Sequence, residues 1–248
     1  MSKNFELLSQ AEREIAASGE HSRIASVPTG ERSQHDLSVD SISREEIIKL
    51  VQAIFLTPGP AAPRVVAFTG VERGDGCSWV ASRAAELMAS LVQGTVCLVD
   101  ANLRSPALHQ RFGVDNQSGL ADSVNEAGPV TKFVQQVQGE NLWLMAAGPS
   151  TGDPHRLLKS TRLQTRVAEL RAEFDYVLID LPPVNLYADA VTLGQLTDGV
   201  ILVLGANSTR REAARKAKET IEAGGLKLLG AVLNKRTFPI PQAIYSRL

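Results

Sequence analysis

Thr69-Gly70-Val71-Glu72-Arg73-Gly74-Asp75-Gly76-Cys77-Ser78 follows directly on the apolar run Val65-Val66-Ala67-Phe68 and leads into a helical period opening at Ser78. A strand that breaks into a glycine-rich turn and restarts as a helix brings backbone N–H groups and the positive end of the helix dipole to one point, which suits a phosphate. The order of residues is close to G-x-x-x-x-G-K-[ST], the loop that cradles nucleotide phosphates. Two positions depart from it. Cys77 stands where the pattern has lysine, and a strict match has glycine at Val71, whereas here Gly70 comes one residue early. Gly74, Asp75, Gly76, Cys77 and Ser78 are expected around the phosphates, with Arg73 on the loop shoulder as the nearest substitute cation. The stretch thus names a fold and a binding site while putting the reaction in question.

Outward from the loop, apolar runs alternate with helical periods. The strand candidates are Val65 to Phe68, Thr95 to Val99, Leu142 to Ala146, Tyr176 to Ile179, Gly199 to Leu204 and Lys227 to Leu233. Continuous apolar strands separated by helices predict an α/β fold with a parallel sheet covered on both faces. Ligands of such sheets bind beyond the carboxyl ends of the strands. Asp100 ends Val96-Cys97-Leu98-Val99, and Asp180 ends Tyr176-Val177-Leu178-Ile179. A carboxylate at a strand tip beside a phosphate loop holds magnesium directly or through water, while Ser78 supplies a hydroxyl. One such aspartate is usually a helix cap or turn former. Two tips plus the loop favour the metal reading, with Asp100 and Asp180 as the catalytic carboxylates if phosphoryl transfer occurs.

The chain has 248 residues, 44% of them hydrophobic, enough for one sizeable core. Its net charge of −1 gives no argument for a nucleic-acid partner. Residues 1–42 read as a mobile tail with a short amphipathic stretch (Phe5, Leu7, Leu8, Ala11, Ile15), either a docking element or a frayed terminus; 43–248 read as one nucleotide-loop domain, starting with a helix at Ser43 that Pro58-Gly59-Pro60 ends. Cys77 and Cys97, one in a loop and one in a strand, do not form a disulfide framework and suit a reducing cytosol. No apolar run approaches the roughly 18 residues of a membrane span, so a cytoplasmic protein is expected, with any membrane link made through a partner. The four histidines lack metal-ligand spacing. Trp79 and Trp143 read as core aromatics. The basic helix face of Arg210, Arg211, Arg215, Lys216 and Lys218 reads as solvated or as a partner surface.

Further motifs sharpen the reading. Asp100-Ala101-Asn102-Leu103-Arg104-Ser105-Pro106-Ala107-Leu108-His109 with Phe112-Gly113, Asp180-Leu181-Pro182-Pro183 with Asp189-Ala190, Asp153-Pro154 with Leu157-Leu158, and Gly230-Ala231-Val232-Leu233-Asn234 span much of the chain. From about Glu45 to Asn234 the sequence resembles the bacterial tyrosine kinases of capsule and exopolysaccharide export, within the larger group of septum-site and partition P-loop ATPases. The resemblance implies a doubly wound, mostly parallel sheet with helices on both faces, ATP or ADP with Mg2+ as ligand, and Asn234 where the adenine edge is read. It also implies a membrane partner of the chain-length-determinant or polymerase type, recruitment to the inner face of the membrane, and self-association as an open question.

The departures matter as much. Asn102 replaces the second aspartate of the family's D-x-D, and near Glu45-Glu46-Ile47-Ile48 only a glutamate remains of its oligomerising Glu-Ala-Tyr-Arg signature. Beyond Asn234 the family carries a tyrosine-rich tail, but this chain has Tyr245 alone; Tyr176 and Tyr187 are expected to be packed. Asn234-Lys235 resembles the start of the guanine-reading N-K-x-D, but position 237 is threonine. Cys77, at a helix N-terminus, reads either as a low-pKa thiol poised over the phosphate site or as a neutral filler of the slot. The expected function is a nucleotide-binding regulatory subunit of exopolysaccharide or capsule assembly, impaired as a kinase. The alternatives are an active tyrosine autokinase or ATPase and a non-binding structural adaptor.

Overall fold

The computed structural model describes residues 34–56, 62–139, 141–149, 157–158 and 160–236. The amphipathic stretch at the start, the Pro58-Gly59-Pro60 stop, Asp153-Pro154 and Tyr245 lie outside them. In chain order the elements are α1 (Gln34–Phe55), β1 (Val65–Gly70), α2 (Cys77–Leu91), β2 (Val96–Asp100), α3 (Leu108–Phe112), α4 (Leu120–Asn125), a 3-10 turn (Val130–Phe133), β3 (Gln135–Gln138), β4 (Leu142–Met145), α5 (Thr161–Glu173), β5 (Tyr176–Leu181), α6 (Asp189–Gly194), β6 (Gly199–Gly205), α7 (Arg211–Ala223) and β7 (Leu228–Asn234). The strands form one sheet in the order β3-β4-β2-β5-β1-β6-β7. All neighbours are parallel except β3 and β4.

Each apolar run predicted as a strand is one. Side-chain alternation divides the core between two faces. On one, Val66, Phe68, Leu98, Leu178 and Ile201 meet α1 and α2; on the other, Val65, Ala67, Cys97, Val99, Val177 and Ile179 meet α5 and α7. Helix α1 presents Ile47, Val51 and Phe55, four residues apart and all buried, to α2. It begins at Gln34, ahead of the Ser43 start read from the sequence, because the polar stretch Gln34 to Asp40 lacks the apolar period used to recognise a helix. Strand β3 was missed for a related reason. Gln135-Gln136-Val137-Gln138 has no apolar run, as befits an antiparallel edge strand half exposed to water.

The parallel register does the positioning. Phe68 and Asp100 both pair with Asp180 as Cα partners, so the end of the loop-bearing strand and both carboxylates come to one edge of the sheet. The basic helix α7 supports the solvated-face reading: Arg215 and Lys218 pair with Glu219 and Glu222 one turn on, while Ala217 and Ile221 are buried beneath. Trp143 packs at 6.2 Å from Phe174. Trp79 corrects the expectation of a core aromatic, since it is 37% exposed at the cavity rim with Arg83 5.7 Å above its ring. Its position on α2 faces the ligand edge of the sheet, away from either core. No helix among the described residues is long and apolar enough to cross a membrane.

Candidate functional site: a phosphate loop with a neutral slot

The loop is shaped by glycine and then fastened from three directions. Gly74 (φ 89°) and Gly76 (φ 84°) lie in the left-handed region, where a side chain would be strained. Asp75 is 3% exposed and turns its carboxylate inward. Its Oδ2 accepts from the amides of Val71 (3.0 Å) and Glu72 (2.8 Å), and its Oδ1 from the Thr209 hydroxyl (3.0 Å). Asn234 at the end of β7 donates from Nδ2 to the Asp75 carbonyl at 2.9 Å. Thr69 donates from its hydroxyl to the Pro182 carbonyl (2.8 Å), tying the loop-bearing strand to the turn after β5. Asp75 and Asn234, expected beside the ligand, thus also hold the loop backbone.

The two strand-tip aspartates differ. Asp100 is fully buried, but its Oδ2 accepts from the amides of Ala107 and Leu108 (both 3.0 Å) and its Oδ1 from that of Asn102 (3.2 Å). Burial raises its pKa, and these amides oppose the rise. Asp180 is 1% exposed, and neither of its oxygens accepts a hydrogen bond of good geometry among the described residues. Burial first, then the Asp100 charge, pushes its pKa up to about 7, although Ser78 and Cys77 lie near enough to favour the ionised form.

Cys77 opens α2, one residue ahead of the Ser78 start read from the sequence, and its thiol is not activated. Burial, and after it the Asp180 carboxylate, raise its pKa well above the ordinary thiol value, outweighing the opposing backbone contact with Leu181. The low-pKa reading is therefore corrected, and the slot holds a protonated, neutral side chain. Cys97 is buried in β2 with its pKa likewise raised by burial.

A cavity of about 420 Å3 opens over this edge, lined by the loop from Glu72 to Trp79 and by Asn102, Arg104, Tyr187 and Lys235 among others. Arg73 donates to the Tyr187 hydroxyl and lies 5.8 Å from that ring's centre. Arg104 stacks on the same ring at 4.4 Å while its Nε donates to the buried Asp189 at 2.6 Å. Tyr187, expected to be packed, instead stands half-buried at the cavity wall between two guanidiniums. Sequence reading did not single out Arg104, Tyr187 or Lys235 as site residues; the only signal for Lys235 was its place directly after Asn234. Among the described residues no three His, Cys, Asp or Glu side chains gather as a metal cage.

No family model matches the chain. The tyrosine-protein kinase YwqD of Bacillus subtilis is 35% identical over 170 residues, covering 68% of this chain and 71% of that one. The chimerical protein CapA2B2 superposes with a TM-score of 0.74 at 28% identity, over 78% of this chain and 85% of that one. The septum site-determining protein MinD of Pyrococcus horikoshii, solved with Mg-ADP, shares the fold with a TM-score of 0.57 at 22% identity, over 74% of this chain and 76% of that one. With its loop, its paired strand-tip aspartates and this degree of likeness, the chain belongs to the bacterial tyrosine kinases, built on the P-loop fold shared with septum-site and partition ATPases.

Proposed function

We propose that the chain is a nucleotide-binding regulatory member of the tyrosine kinases of capsule or exopolysaccharide assembly, acting at the inner face of the membrane with a chain-length-determinant partner and weak in phosphoryl transfer. The observation that carries this reading is a phosphate loop whose amides and neighbouring Asp180 are in place around a neutral Cys77. Gly74, Gly76, Cys77 and Ser78 offer backbone amides to the phosphates, and Asp75, Thr209 and Asn234 keep those amides aimed.

Magnesium fits the side chains present. Two buried, unpartnered oxygens on Asp180 beside the Ser78 hydroxyl suit a hard cation that takes one or two protein oxygens and completes its shell from phosphates and water. When bound, the ion would offset charge on the phosphates. Asp100 shapes the segment from Asn102 to Leu108 through its three amide bonds, leaving Asp180 the more available ligand.

A lost charge-assisted hydrogen bond is worth about 1.5–3 kcal/mol, and about 1.4 kcal/mol is tenfold in rate. A missing loop lysine thus lowers phosphoryl transfer by roughly 10- to 150-fold. Calorimetry with Mg·ATP and Mg·ADP tests binding, and Cys77→Lys is expected to raise affinity about tenfold or more. No heat at several millimolar nucleotide would favour the adaptor reading instead. The retained Ser78, Asp100 and Asp180 support the second reading, an active autokinase, which robust ADP production from Mg·ATP would establish.

A further inference from the structure

Three cationic side chains line the cavity, and their circumstances differ. Arg73 and Arg104 are both turned onto Tyr187, and Arg104 is also held by Asp189. Lys235 has no hydrogen-bond or ion-pair partner among the described residues. It follows Asn234 at the carboxyl end of β7 and adopts φ 59°, a left-handed conformation that Asn207 alone shares among the described non-glycine residues. Such a conformation is unfavourable for a lysine and persists where the surroundings fix it. The residue before it, Asn234, is bonded to the Asp75 carbonyl. As a result the two residues flank Gly76: a Cβ placed on that glycine would come within 2.3 Å of Asn234 Nδ2 and 3.8 Å of Lys235 Cε.

Gly76 directly precedes Cys77, the slot in which the loop pattern carries its lysine. The end of a lysine side chain thus reaches the phosphate loop from the opposite wall, one residue from the missing cation. We infer that Lys235 is a phosphate-binding residue of this chain, supplying from β7 the positive charge that the loop lacks, with the polyphosphate of a nucleotide as its ligand. This inference rests on the nucleotide reading and deepens it. A charged ammonium without a protein anion among the described residues is free to receive one, and a polyphosphate between the loop amides and Lys235 would meet donors on two sides. The rigid platform comes from Asp75 and Asn234; the charge comes from Lys235.

The test is calorimetric titration of the full chain with Mg·ATP, Mg·ADP and tripolyphosphate. The chain as it stands is compared with Lys235→Ala, Lys235→Arg, Cys77→Lys and the Cys77→Lys/Lys235→Ala double variant. The expected result is a loss of about tenfold for Lys235→Ala toward all three probes, with Lys235→Arg largely retaining affinity. With lysine restored at position 77, removal of Lys235 is expected to cost less than about twofold, because the two cations serve one phosphate chain. Equal binding by the parent and Lys235→Ala would overturn the inference while leaving the nucleotide reading intact. A loss seen with nucleotides but not with tripolyphosphate would also overturn it, placing the lysine on the base. Absence of binding by the parent chain removes both readings together. Melting curves without ligand check that each variant folds; Lys235 is exposed and touches no core.

Discussion

Asp180 carries an unresolved conflict between burial and charge. Its carboxylate is 1% exposed with both oxygens unpartnered among the described residues, and its pKa is pushed up to about 7 by burial and by Asp100. A carboxyl whose pKa is higher folded than unfolded stabilises the fold while protonated and loses that contribution as pH rises through the folded value. Without magnesium or nucleotide, Asp180→Asn is expected to stabilise the protein at pH 8 by roughly 1–3 kcal/mol, and by progressively less toward pH 5. Denaturant melts at both pH values check it; a variant less stable than the parent at pH 8 would mean the carboxylate has partners that its geometry does not reveal. At this scale the sequence was partly legible. Strand-tip position located Asp100 and Asp180, because a residue ending an apolar run must emerge at the sheet edge. It did not separate their roles, since the amides that occupy Asp100 come from Ala107 and Leu108, after a turn whose path no periodicity encodes. The state of Cys77 was illegible for the same reason, because its pKa follows from burial first and then from the Asp180 carboxylate at the end of β5.

Between elements, Asp198 shows how a few polar groups set the entry of the loop-bearing strand. Its Oδ2 accepts from the amides of Arg64 and Val65, both at 2.8 Å, and Arg171 on α5 grips its carboxylate with a contact of 2.7 Å. Burial pushes its pKa up, but Arg171 and the two amides together bring it below the ordinary value. For a depressed carboxylate the stabilisation is present above the unfolded pKa and lost as pH falls through the folded one. Asp198→Asn is expected to destabilise the chain by about 1 kcal/mol at pH 7, solvent screening included, with the difference closing below pH 4. Urea titrations at pH 7 and pH 3.5 measure it, and a gap that persisted in acid would point to packing as the cause. Strands β1, β2, β5 and β6 were readable because interior parallel strands are apolar on both faces. Strand β3 and the first turns of α1 were not, because polar residues carry no period when one face meets water.

For the whole molecule, the α/β class and the mostly parallel sheet were legible from the alternation of apolar runs and helices, and the comparisons bear that fold out; the strand order was not. The cavity wall was not, because Arg104, Tyr187 and Lys235 converge there from three separate segments. The chain as a whole couples an understaffed phosphate loop to a single acceptor, Tyr245, after Asn234. Little or no phosphotyrosine is expected after incubation of the purified chain with Mg·ATP. Mass spectrometry decides it: stoichiometric phosphate on Tyr245 that disappears in Asp100→Ala would restore the active kinase.

The fastening of the loop by Asp75, Thr209 and Asn234 bears on the timing of ligand exchange. A receptor whose backbone is already in place needs no ordering step when an anion arrives, so encounter is governed by diffusion and approach geometry. The neutral slot at position 77 then has little influence on how fast a nucleotide enters. Under the proposed nucleotide reading its effect would fall on dwell time, with ligands exchanging quickly and occupancy following the present nucleotide level with little memory of the past one.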